Sequence, residues 1–149
     1  MEEFKWSQLN SRQLGRYAEY FVKMQFTLHG IDIYTPEIDD KGIDLIARTG
    51  PSKYLEIQVK SLYKSANAYF DKATFDIKQP NLLVALVRFV EGQAPILYLL
   101  HSRLWGTDTP SSLFVGYDRK NYSEWGIQLS PKKLPLLAPY LFAEIVKSL

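Results

Sequence analysis

Apolar residues between positions 11 and 28 recur at intervals of three and four: Leu14, Tyr17, Ala18, Phe21, Val22 and Phe26. That spacing gathers them into one stripe of a helix and leaves the opposite face polar. Asn10 precedes the stripe and Gln13 follows three residues later, a pair in which each side chain can cap the other's backbone N–H. Gly30 stands where a left-handed residue ends a helix. The pattern predicts a helix over 11–28, on which Gly15 and Glu19 lie one turn apart beside the stripe. The glutamate is thereby carried toward the element the helix packs on.

Beyond Gly30 the period drops to two. Ile31, Ile33 and Tyr34 lead to Pro36, a polar turn fills 37–42, and Ile43 to Arg48 follows, which together predict a hairpin. After a second turn at 49–53, Tyr54 to Lys60 alternates strictly. Leu55, Ile57 and Val59 fall on one face, and Glu56, Gln58 and Lys60 on the other. Residues 61–76 read as a loop or irregular hairpin. Leu82–Val90 and Ile96–Leu100 flank a turn-forming stretch at 91–95 and are expected to pair antiparallel. Short strands at Leu113–Tyr117 and Trp125–Leu129 precede a terminal helix from Pro131 with its stripe in Leu136, Leu137, Tyr140, Leu141 and Ile145. Pro135 and Pro139 disturb its first turns. The expected class is α/β: a central mixed β-sheet flanked by helices, in one domain over 1–149.

Composition removes alternatives. The chain has no cysteine, which excludes disulfide scaffolds, thiolate zinc sites and cysteine nucleophiles. Its apolar runs are far shorter than the roughly 20 residues of a membrane helix, and acids stand at 2 and 3 where a secretory signal would be basic. A soluble, cytoplasmic protein with no membrane partner is expected. With 18 basic and 16 acidic residues the net charge is +2, too small to mark a nucleic-acid binder by itself. The basic pairs Arg119-Lys120 and Lys132-Lys133 read as solvated, and Tyr117, Tyr122 and Trp125 as packing.

One acid is out of place. Asp44 sits inside the apolar run Ile43-Asp44-Leu45-Ile46-Ala47, although aspartate is depleted in strands and costly to bury alone. If it lies beside Gln58 and Lys60, the hairpin offers a carboxylate, an amide oxygen and an ammonium at one spot, with Glu19 supplied from the helix. The carboxylates and the amide oxygen suit a hard cation such as magnesium, which prefers oxygen and takes one or two carboxylates plus substrate phosphate. Lys60 is then placed to orient a water or to stabilise charge on a phosphate in the transition state. Other sites are weaker. The acidic turn Glu37, Asp39 and Asp40 reads as hydrated. His29 and His101 are far apart, Ser61 and Ser102 lack a visible base, and there is no glycine-rich phosphate loop.

A helix Glu, then Gly42-Ile43-Asp44-Leu45-Ile46, a turn and Glu56-Ile57-Gln58-Val59-Lys60-Ser61 resembles the PD-(D/E)XK nuclease superfamily. The likeness is to its Q-x-K subset, as in Mrr-type restriction enzymes, alongside archaeal Holliday-junction resolvases and intron-encoded homing nucleases. It covers residues 11–61, with Q-x-K beginning fourteen residues after the Asp. The resemblance implies a restriction-endonuclease-like sheet and magnesium-dependent hydrolysis of DNA phosphodiester bonds, manganese being an alternative ion. It assigns Asp44, Gln58 and Glu19 to the metal and Lys60, with them, to catalysis. The sequence departs from the pattern in two places: Pro36 stands eight residues before Asp44, and Gln58 carries no charge. Cutting both strands of a duplex implies a dimer or higher homo-oligomer. The alternative is a nuclease-fold module without activity that binds nucleic acid or a protein partner.

Overall fold

The computed structural model of the chain describes residues 3–106 and 113–149. Helix α1 spans Ser11–Leu28, as its periodicity predicts. Asn10 Oδ1 accepts from the Gln13 N–H and Gln13 Oε1 from the Asn10 N–H, both at 2.9 Å. At the other end Gly30, at φ +74°, donates to Thr27 O while Ile31 donates to Phe26 O, a paired bonding that satisfies two terminal carbonyls.

The strands are β1 (Asp32–Tyr34), β2 (Leu45–Gly50), β3 (Lys53–Tyr63), β4 (Asn67–Asp71), β5 (Leu82–Phe89), β6 (Ile96–His101), β7 (Phe114–Asp118) and β8 (Ser123–Gln128). Five of them form a mixed sheet in the order β1-β2-β3-β5-β6, in which only β3 and β5 run parallel. Both expected hairpins are present. A parallel neighbour requires a crossover, and residues 64–81 supply it. The stretch read as a loop or irregular hairpin in fact continues β3 to Tyr63 and then forms β4, which pairs with β8 in a second sheet of order β4-β8-β7. Its partner lies far along the chain, so local pattern carries no trace of it.

α1 and the C-terminal helix α2 (Phe142–Ile145) pack on one face of the five-stranded sheet, burying Ala18, Val22 and Phe26 against Ile57, Leu83, Ala85 and Val87. Phe26 meets Phe142 edge-on at 5.2 Å. The other face carries Val84, Leu86 and Leu100 against Phe70, Phe75, Trp105, Ile127 and Leu137, so the second sheet and short 3-10 turns close a second core. β5 is buried on both faces, and this makes Leu82–Val87 an unbroken apolar run. The expected terminal helix is corrected. Leu134–Tyr140 is a 3-10 segment and only four residues follow as α-helix, because Pro135 and Pro139 supply no N–H to an α-helical ladder. Among the described residues no helix is long and apolar enough to cross a membrane.

Candidate functional site

β2 accompanies β3 only as far as the pair Leu45 and Ile57. Past that point β3 runs on with an open edge, and a cleft of about 360 Å³ lies there between α1, the β1–β2 connection and β4. Asp44, placed by the sequence pattern inside a strand, stands one residue before β2. Its N–H still reaches Ile57 O at 2.9 Å, while its Oδ2 accepts from the Val59 N–H at 2.7 Å. The side chain thus takes over the strand pairing that β2 has ceased to provide.

Gln58 is read from sequence as part of a polar strand face, yet it is only 4% exposed, because the second sheet covers that face. Its Nε2 donates to Gly42 O at 2.8 Å. A carbonyl can be met only by the amide's NH2 group, which settles how the amide is turned. Gln58 Oε1 is buried without a hydrogen-bond partner. Gly42 is held at φ +75°, and a Cβ there would stand 2.6 Å from Gln58 Nε2, so glycine is required both by its backbone and by the docked amide.

Glu19, Asp44, Gln58 and Lys60 all line this cleft. Glu19 pairs with Arg16 at 3.0 Å on the helix surface. Lys60 is half-buried with its Nζ 6.0 Å from the Phe70 ring centroid, and among the described residues no carboxylate lies within ion-pair distance of it. Glu56 does not block it: that carboxylate accepts from Gln79 Nε2 and faces a separate groove. Burial pushes the Asp44 carboxyl above its ordinary value. The Val59 N–H opposes the rise, the charges of Glu19 and Asp39 add to it, and Lys60 counters it.

Sequence reasoning missed Asp39. Treated as part of a hydrated turn, it reaches the cleft through the β1–β2 connection, whereas Glu37 and Asp40 face the neighbouring groove. Ser61, Asp71 and Thr74 also line the cleft. The last two come from the β4 region, whose placement depends on pairing with β8. Among the described residues no three acidic or imidazole side chains gather into a metal-binding cluster. The donor set here is instead mixed: a carboxylate, a neutral amide oxygen and a nearby helix glutamate. The unpartnered Gln58 oxygen and the Asp44 carboxylate, in residues that line one cleft, fit an oxygen-preferring divalent cation.

No protein-family model matches the sequence, and no curated protein matches it. Solved structures do match in fold. A Holliday junction resolvase from the archaeal hyperthermophile Archaeoglobus fulgidus has a TM-score of 0.57 at 17% identity, over 89% of this chain and 95% of that one. A bacterial homing endonuclease has a TM-score of 0.54 at 19% identity, over 93% of this chain and 91% of that one.

Proposed function

We propose that this chain, which has the fold of the PD-(D/E)XK nucleases, is an endodeoxyribonuclease that hydrolyses DNA phosphodiester bonds with magnesium, or manganese in its place. The observation that carries the reading is the buried, unpartnered Gln58 oxygen in a cleft shared with Asp44 and Lys60. Asp44 and Gln58 would hold the ion, with Glu19 on the helix side of the same cleft. When bound, a divalent cation polarises the phosphate and lowers the pKa of water. Among the described residues no carboxylate stands within ion-pair distance of the Lys60 ammonium, so it is available to orient the attacking water and to neutralise charge growing on the phosphate oxygens. Val59 fixes one Asp44 oxygen and Gly42 fixes the Gln58 amide, so both donors are positioned before substrate arrives. Two copies acting together would cut both strands of a duplex.

The test is to incubate purified protein with plasmid, four-way-junction and single-stranded DNA in magnesium, manganese or chelator. Metal-dependent cleavage that is lost in a folded Asp44→Ala variant is the expected result. No cleavage of any substrate with either ion, or undiminished cleavage by Asp44→Ala, would overturn the proposal and leave a binding module without activity.

A further inference from the structure

Three grooves lead away from the cleft, each sharing residues with the next: the first follows the open edge of β3, and the other two pass round the end of that strand to β5, which pairs with its opposite edge. The first meets the cleft at Ser61 and adds Ser11, Ser65 and Asn67; the second passes Lys64 to Arg88; the third ends at Ser130. From Ser61 to Tyr63 the extended chain covers about 7 Å before it turns at Lys64. Ser61 and Tyr63 share the parity of Ile57 and Val59, whose backbone groups face the β2 side, so their backbone also faces this unpaired edge. The lining is apolar for the most part, with Leu9, Leu62, Val90 and Leu129 in it, and its polar groups are hydroxyl, amide and cation. Its one acid, Glu91, lies on the second groove and is already engaged by Ser7 and Tyr63.

Arg88 is half-buried on β5. Its Nε is buried without a hydrogen-bond partner, and among the described residues no carboxylate stands within ion-pair distance. The Arg88 guanidinium is thus only partly solvated and carries no counter-charge, and a phosphate at its accessible end would supply one. Lys64, beside it, adopts φ +58°, a strained backbone for a residue with a side chain, at the corner between β3 and β4.

We infer that this track holds the sugar–phosphate backbone of the nucleic-acid strand being cut, with Arg88 and Lys64 gripping a phosphate to one side of the scissile bond. The inference rests on the reading of the cleft as a DNA-cleaving site. It is tested by binding of a fluorescent DNA duplex in chelator across a salt series, with manganese affinity measured separately by calorimetry. Arg88→Gln should weaken DNA binding about tenfold and reduce the slope of log affinity against log salt by about one, as loss of one phosphate contact requires. Arg88→Lys should recover part of the affinity, and manganese binding should not change. Lys53→Gln, at the opposite end of β3, should bind as wild type. If Arg88→Gln does not fold, Lys64→Gln tests the same grip. Wild-type affinity and slope in Arg88→Gln and Lys64→Gln, from a parent that binds and cuts DNA, would overturn the phosphate track alone. A parent that neither binds nor cuts DNA would overturn the nuclease reading with it.

Discussion

Replacing Gln58 by Glu changes one group and leaves the shape, so it isolates what the amide does. In the wild type Nε2 donates to Gly42 O at 2.8 Å in a site only 4% exposed. A carboxylate there removes the donor and sets an oxygen against the carbonyl, close to the acids Asp44 and Glu19. Losing a buried carbonyl's partner costs about 1–3 kcal/mol, and adding a buried charge brings the total to about 2–4 kcal/mol. For a chain of this size that lowers Tm by roughly 5–15 °C in chelator at neutral pH. The sign with pH follows from the new carboxyl, whose folded pKa must rise. Below the ordinary glutamate value of about 4.3 it is protonated and its O–H donates to Gly42 O, so the deficit vanishes. As pH climbs toward the raised folded value the deficit grows. With manganese the order reverses: the ionised carboxylate of the variant adds Coulomb attraction that an amide lacks, so Tm gains more from saturating metal in the variant than in the parent. Scanning calorimetry of both proteins, with chelator and with manganese, at neutral and mildly acidic pH, reads all of these. A Gln58→Glu protein as stable as wild type in chelator at neutral pH, with no larger response to manganese, would refute the assignment of Gln58 Oε1 to the cleft.

Burial and neighbouring acids raise the Asp44 pKa, so its ionised form costs stability above the ordinary value of 3.8 and not below it. Asp44→Asn should therefore raise Tm in chelator at neutral pH, with the gain shrinking as pH falls below that value, while cleavage is lost. Lys60→Met should slow single-turnover cleavage by about 10²–10³-fold, the cost of losing one group that stabilises transition-state charge, with manganese affinity retained in calorimetry. Gly42→Ala meets both the strain of φ +75° and the contact with Gln58 Nε2, so it should destabilise by about 1–3 kcal/mol in denaturant melts and weaken manganese binding as the amide is displaced.

What could be read from sequence was what the chain encodes locally. α1 carries its own cap in Asn10 and Gln13 and its own terminator in Gly30, and the structure keeps both ends. The alternation of β3 separated Ile57 from Gln58 and Lys60, and the cleft does bring Glu19, Asp44, Gln58 and Lys60 together. The burial of Gln58 was not legible, because it is imposed by a sheet whose strands lie at 67–71 and 114–128. Asp39 was discounted for a related reason. A turn acid is normally hydrated, and only the course of the β1–β2 connection brings this one to the cleft. The C-terminal stripe had helical period, but the two prolines overrode it.

The sheet that separates two cores also makes them share a wall. Along β5, Leu83, Ala85 and Val87 belong to one core and Leu82, Val84 and Leu86 to the other, so neither core can release this strand without wetting the other. Melting should therefore be one cooperative event. The tryptophans allow each side to be watched: Trp6 reports from the helix-covered core, its indole N–H tied to Val90 O and Gln93 O, and Trp105 reports from the other. The cleft lies on the seam, with Glu19 from one layer and Phe70 and Thr74 from the other. Loosening of the three-stranded sheet would thus widen the cleft while β5 stays in place, a breathing motion confined to one wall of the site.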